Sequence, residues 1–380
     1  MTSDHCHLCA SDQLREVNGL QRVGFVTSDC RPWPNRSRLC VCRSCGAVQK
    51  QIDQSWRDDM ASLYGSYRIY LQSGGIEQPV FDDGGAATTR SDYLLEHLLG
   101  GMELPDRGRL LDLGCGNGAF LQAFSRRVQG WTLIASELDD PNAETILQIE
   151  NVEALYTCEL SSIPGTFDLA SMIHVLEHIV NPLQMLKILA EKIPEGGCVL
   201  ITLPNFLQNP FDLIVADHST HFTSVVLRNL LVAAGFAPLP GINDVLPKEF
   251  AVVGRRCQEA LSTQKLDPAS SEASVLDSIA WLQRVVDQSH GLAGVTRQLG
   301  LFGTSIAGTW LASELDGKVS FFVDEDPNRI GRTHLGLPIF APHDAPRDSD
   351  VIFALPPAMT QSLAQRFADG GHGFRCHWLV

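Results

Sequence analysis

Leu110-Leu111-Asp112-Leu113-Gly114-Cys115-Gly116-Asn117-Gly118 constrains this chain more than any other stretch. Leu110 to Leu113 reads as a short buried strand, and the glycines at 114, 116 and 118 predict a tight turn into a helix starting near Ala119 and Phe120. Glycine has no Cβ, so the main chain there can turn sharply and approach a ligand closely. A phosphate site would set Lys or Arg nearby, yet none lies between Leu110 and Arg126. Asp112, just before the turn, suits instead the α-amino or hydroxyl groups of a small polar ligand. By itself a Gly-x-Gly turn also fits a dinucleotide, or merely close packing of a helix on a sheet.

From Leu110 to about Val253 the chain alternates strand-like and helix-like patterns. Strands are predicted over 109–113, 131–136, 153–157, 167–173, 197–202 and 248–253, and helices over 118–127, 140–149, 182–193 and 223–234. A helical stripe precedes them over Thr89 to Leu99. Asn181-Pro182 predicts a helix start, with Asn as cap and Pro in the first turn, and Gly235 predicts a stop. This alternation predicts an α/β fold with a doubly wound, mostly parallel sheet. The second strand ends at Glu137, 21 residues beyond Gly116, where a ribose-binding carboxylate belongs. The fourth strand runs into His174-x-x-Glu177-His178. That spacing also occurs in inverted zinc peptidases, but their chemistry needs it on a helix, and here it follows a buried strand.

Six of the eleven cysteines fall in the first 45 residues. Cys6-His7-Leu8-Cys9 and Cys42-Arg43-Ser44-Cys45 form two Cys-x-x-Cys knuckles, four thiolates for one tetrahedral ion, with Cys30 and Cys40 to spare. Four thiolates leave no open position, so the zinc expected there is structural. A unit this small needs such a staple. An odd cysteine total and no apolar signal core argue against a disulfide framework and for a cytoplasmic protein.

Residues 61–88, rich in Tyr and Gly, predict a loop-rich connection, and 257–272, polar with Ser, Gln, Asp and Pro, a linker. Beyond the linker, Val275 to Val286 carries a helical stripe. Short strands at 299–302, 319–323 and 351–355 then predict a second α/β unit. The expected division is 1–60, 61–256 and 257–380. A net charge of −15 opposes nucleic acid as a partner. No apolar run reaches the roughly 18 residues a membrane span needs.

Asp112-Leu-Gly114-Cys-Gly116-Asn-Gly118, with Glu137 beyond, resembles the cofactor loop of class I S-adenosylmethionine-dependent methyltransferases. The resemblance implies a Rossmann-like core in which Asp112, Gly114, Gly116 and Glu137 hold the cofactor. It also implies that His174, at the end of the fourth strand, lies beside the cofactor's amino-acid part. The whole layout, with paired knuckles first and a C-terminal Rossmann-like unit carrying Phe-Phe-Val-Asp324-Glu-Asp-Pro-Asn328, resembles the sugar C-methyltransferases that build branched deoxysugars on nucleotide carriers. That family carries its general base in a Tyr-His-Glu-His-x-x-Tyr-Phe-Ser segment. The matching run here is Val215-Ala216-Asp217-His218-Ser219-Thr220-His221-Phe222-Thr223. The base falls on His218 and the preceding acid on Asp217, whereas Val215, Ala216 and His221 depart from the pattern.

The reaction so implied is methyl transfer to carbon next to a ketone of a nucleotide sugar. His218 would take the α-proton, and His178 and His221 would serve as donors to the enolate or the acceptor. Methylation of oxygen or nitrogen on a small metabolite or glycan is the alternative. Tyr67 and Tyr70 lie where the family places a substrate tyrosine. Asp324 would help to bind the nucleotide.

Overall fold

Seven strands form the central sheet of the computed structural model, which describes residues 5–68, 73–77, 79–81, 87–139, 141–240, 248–259, 261–368 and 371–379. They are β1 (Gly108–Leu113), β2 (Trp131–Ser136), β3 (Val152–Tyr156), β4 (Leu169–Ile173), β5 (Cys198–Pro204), β6 (Phe236–Pro238) and β7 (Glu249–Arg256). Their order is β3-β2-β1-β4-β5-β7-β6, parallel except for β7, which runs antiparallel to both of its neighbours. Strand pairing alternates side chains between the faces. Leu110 and Leu133 join one apolar core, and Leu111 and Ile134 join the other. β5 is buried throughout, as expected of a strand covered on both faces. The strand order reverses between β1 and β4, and such a switch point opens a crevice at the strand C-termini.

The predicted strands and helices of this region all form, with shifted ends. The helix expected over 140–149 contracts to Ala143–Leu147. Asn181 takes the N-cap position of the helix Pro182–Lys192, but its side chain makes no capping hydrogen bond.

A second sheet carries six strands in the order Thr333–His334, Leu337–Phe340, Val319–Val323, Leu299–Phe302, Asp350–Phe353 and Arg375–Trp378. A long helix, Pro268–Val295, leads into it. It begins inside the stretch expected to be linker, because Asp267 accepts a hydrogen bond from the Ala269 amide and Pro268 sits in the first turn. The connection 61–88 is likewise not all loop. The helix Gln54–Tyr64 enters it, capped by Asp53, and Pro79–Phe81 pairs with Ala87–Thr89.

Near the N-terminus Leu14–Val17, Leu39–Cys42 and Val48–Lys50 form an antiparallel sheet. Its fourth strand is Thr220–His221, which comes from far along the chain. A single apolar core unites Phe25 and Val41 of this unit with Phe211 and Leu213, Trp281 and Leu282 of the long helix, Trp310 of the helix Ile306–Glu314 and Phe322 of the second sheet. The segment 206–221 is therefore held from three sides at once.

Candidate active site

The glycine turn folds as its sequence demands. Gly114 adopts φ +67°, and a Cβ there would stand 2.4 Å from Val175 Cγ2. A side chain there would force Val175 to shift and would sit on a backbone conformation that favours glycine. Asp112 and Ser171 are register partners on β1 and β4, and Ser171 Oγ donates to Asp112 Oδ1 at 2.6 Å. Burial, aided by the charge of Glu137 and opposed by that hydrogen bond, pushes the Asp112 carboxyl up to about 7. A buried acid so raised gains most from a cationic partner. Glu137, at the end of β2, accepts from the Gly116 amide at 2.8 Å and from the Leu138 amide at 2.8 Å. The acid is thus held at the lip of the glycine turn. An ammonium group at Asp112 and a diol at Glu137 match S-adenosylmethionine, so the residues fit that cofactor.

At the end of β4, His174 takes φ +55°, a left-handed conformation uncommon outside glycine. Its Nδ1 lies 3.1 Å from Glu177 Oε1 and its Nε2 3.0 Å from Glu249 Oε2, with the Arg90 guanidinium on both His174 and Glu249. Burial and Arg90 oppose a charge on His174, but the two carboxylates outweigh them and raise it. Glu249 is held down to about 2, because Arg90 and His174 overcome its burial.

The loop after β4 meets the segment after β5, where the Ser219 amide donates to the Glu177 carbonyl. His178 Nδ1 is 3.3 Å from Asp217 Oδ2 and 3.1 Å from the Tyr64 hydroxyl. Burial opposes the imidazolium of His178, yet the hydrogen bond and charge of Asp217, joined by Glu177, hold its pKa up to about 9. Asp217 is held well below the usual carboxylate range, because the same pairing overcomes its burial. The Ser28 amide also donates to Asp217, at 2.9 Å.

His218 and His221 share one acid. Their Nδ1 atoms stand 2.6 and 2.7 Å from the two oxygens of Asp212. The rings of His178 and His218 meet edge to face with centroids 4.8 Å apart. His221 is fully buried and its Nε2 has no hydrogen-bond partner among the described residues. Burial depresses its pKa in spite of Asp212. Of the residues anticipated for catalysis, His178, Asp217 and His218 therefore lie together, while His221 stands behind them as a neighbour of Asp212. Ser28 Oγ donates to Asp217 and lies 3.2 Å from the Tyr67 hydroxyl, which can donate to it. Tyr70 lies outside the described residues.

Sequence reasoning missed Asp212, Ser28, Tyr64, Arg90, Glu249 and Lys50. Lys50 is wholly buried, donates to the Val215 carbonyl, and is depressed to about 7 by burial against the pull of Asp217 and Asp212. Only Asp212 lies near its partners in sequence, and no periodicity marked it.

The knuckle cysteines converge as anticipated. Cys6 Sγ is 3.6 Å from Cys45 Sγ and Cys9 Sγ is 3.6 Å from Cys42 Sγ. Sulfurs around one tetrahedral zinc stand about 3.8 Å apart, given Zn–S bonds of about 2.3 Å. The four thiols thus fit zinc with little adjustment. At the C-terminal unit, Asp324 accepts from the amide and hydroxyl of Thr304 and is paired with Arg329.

Residues 89–240, which span β1 to β6 and the histidine cluster, match the family described as a methyltransferase domain. The chain is 28% identical over 131 residues to a ubiquinone biosynthesis O-methyltransferase of Xanthomonas campestris, covering 32% of this chain and 53% of that protein. It is 30% identical over 119 residues to the mitochondrial ubiquinone biosynthesis O-methyltransferase of Schizosaccharomyces pombe, covering 29% and 43%. The chain thus spans about half the length of the curated relatives it matches. Among solved structures it is similar to the 1,6-didemethyltoxoflavin-N1-methyltransferase of Burkholderia thailandensis with bound S-adenosylhomocysteine. That likeness has 17% identity and a TM-score of 0.37, over 56% of this chain and 96% of that one. No described helix is long and apolar enough to cross a membrane.

Proposed function

We propose that the chain transfers a methyl group from S-adenosylmethionine to a small molecule, with carbon beside the ketone of a nucleotide-linked deoxysugar as the acceptor. One observation carries this reading: His218, oriented by Asp212, stands edge to face against His178, which pairs with Asp217 just after β4. The cofactor, when bound, supplies an electrophilic methyl on a sulfonium leaving group.

The protein's own residues supply the rest. Asp112 and Glu137 orient the cofactor, and His174 lies beside its amino-acid part. Asp212 accepts from Nδ1–H of His218, which leaves the Nε2 lone pair to take the α-proton. The imidazolium of His178, held by Asp217, donates to the enolate oxygen. The carbanion so formed would take the sulfonium methyl, the S–CH3 bond pair staying on sulfur as a neutral thioether, and the abstracted proton would stay on His218. His221 keeps Asp212 in place rather than meeting substrate. A zinc ion at Cys6, Cys9, Cys42 and Cys45 is structural. The units 1–60, 61–256 and 257–380 supply the zinc site, the reaction centre and a C-terminal Rossmann-like lobe, where Asp324 would face the nucleotide.

Transfer to oxygen is the second reading, favoured by the names of the curated relatives. The same His218 would then deprotonate a hydroxyl.

A thermal-shift panel of nucleotide sugars with S-adenosylhomocysteine selects a binding acceptor. Deuterium exchange at its α-carbon without cofactor supports transfer to carbon, whereas a methyl ether product without exchange supports oxygen. A folded sample giving no calorimetric heat with S-adenosylhomocysteine sinks both.

A further inference from the structure

Glu177, His178 and His218 each offer a ligand atom, all within 4.8 Å of one another. We infer that these three residues form a site for one borderline divalent cation of the zinc or cobalt class, and that occupancy of this site silences the base. The silencing rests on the function proposed above; the cation site does not.

The ligand set is two imidazoles and one carboxylate, which suits such ions and leaves open positions for water. Each imidazole is prepared as metal-binding histidines are. The Nδ1 of His178 faces Asp217 and that of His218 faces Asp212, and both carboxylates are buried. A carboxylate on one ring nitrogen fixes the ring and raises the basicity of the other. Glu177 is 1% exposed and spends Oε1 on His174, while its Oε2 has no hydrogen-bond partner among the described residues. A buried carboxylate oxygen without a donor is costly, and a cation is the partner that would satisfy it. Around one tetrahedral ion with bonds of about 2.0–2.1 Å, ligand atoms stand about 3.4 Å apart, so modest side-chain adjustment closes the triangle.

The neighbouring trio of Asp212, His218 and His221 is a weaker cage, because both Asp212 oxygens already accept from the two rings. The peptidase-like spacing is not reproduced either. His174 turns to Glu249 and Arg90, and its place is taken by His218, forty residues beyond His178.

A lone pair that coordinates a cation cannot accept a proton. Metal and methyl transfer are therefore exclusive at His218, and free zinc would act as a reversible inhibitor.

The test uses the full chain with its four-cysteine site loaded with zinc, titrated with Co2+. Elemental analysis after gel filtration should find one cobalt beside one zinc per chain. The cobalt should show ligand-field bands without the thiolate charge-transfer absorption of a cysteine site. Glu177→Gln and His178→Ala should each weaken cobalt binding by at least about tenfold, with folding checked by circular dichroism. Added Zn2+ should stop methyl transfer, and mild chelation should restore it. Wild-type protein that retains no cobalt, or cobalt binding untouched by both substitutions, overturns the site. Cobalt bound with full methyl transfer overturns the silencing. Calorimetric heat with S-adenosylhomocysteine, measured without added metal, reports on the methyltransferase reading separately: cobalt bound with no such heat fails that reading and leaves the cation site standing.

Discussion

His7 Nδ1 lies 3.1 Å from Thr220 Oγ1, so a residue inside the first cysteine knuckle grips the strand that carries His221. The same face of the N-terminal unit contributes the Lys50 amide to the Ser219 carbonyl and the Ser28 amide to Asp217. The cysteine knuckle and the histidine cluster are in this way one mechanical unit, although His7 and Thr220 lie 213 residues apart in sequence.

Loss of the knuckle should therefore reach the reaction centre before it reaches the cofactor loop. Cys42→Ser should lower turnover at least about tenfold and lower the melting temperature, while S-adenosylhomocysteine still gives binding heat. His7→Ala removes one buried hydrogen bond and should cost about 1 kcal/mol in denaturant unfolding. Equal loss of cofactor binding in Cys42→Ser would refute the separation.

Cofactor affinity should follow the titration of Asp112. Its carboxyl, raised to about 7, must be ionised to meet an ammonium group, so binding releases a proton at low pH. Affinity for S-adenosylhomocysteine should rise about tenfold from pH 6 to pH 8. Calorimetry in buffers of different ionisation heat reads the released proton. Asp112→Asn should bind weakly and without the pH dependence.

Asp212 holds two imidazoles in one tautomer. Asparagine offers a single carbonyl acceptor, so in Asp212→Asn one ring must turn or change tautomer. Turnover should fall by about 10²-fold or more, with binding heat for S-adenosylhomocysteine kept. Unchanged turnover would remove His218 from the mechanism.

The His178–Asp217 pair should shape both stability and rate at alkaline pH. The folded-state pKa of His178 is about 9, above the ordinary histidine value of 6.5. Its contribution to stability is thus complete below about pH 6.5 and is lost as pH rises through about 9. Chemical denaturation at pH 6.5 and 9.5 should show the loss, and His178→Asn should abolish that difference. A limb of kcat falling near pH 9 is expected if the imidazolium is the donor.

Gly114→Ala tests the glycine turn directly. The new methyl would meet Val175 Cγ2 at 2.4 Å on a backbone at φ +67°. Destabilisation of about 1–3 kcal/mol is expected, together with weaker cofactor binding by calorimetry. Trimming Val175 to alanine in the same chain should recover part of the folding loss.

Much of the central sheet was legible because its signals are local. Alternating apolar runs, a glycine turn and an acid at the next strand end are written within a few residues of one another. The paired knuckles were legible for the same reason. The ends of elements were less so: Asp267-Pro268 opens a helix inside a polar stretch, and Asn181 occupies a cap position without capping.

By itself the sequence determined the strand and helix pattern, the glycine loop with Asp112 and Glu137, the four thiols, and the pattern match at Asp217 and His218. Only the tertiary structure decided which partners these groups have. Lys50 beneath Val215 and His7 on Thr220 depend on contacts between distant segments, Asp212 meets its two imidazoles only through the folding of its own segment, and no described residue donates to one Glu177 oxygen. The physical reason is that periodicity reports which face of an element is buried, whereas the pairing of buried polar groups is settled by whatever donor or acceptor another segment brings to the same spot.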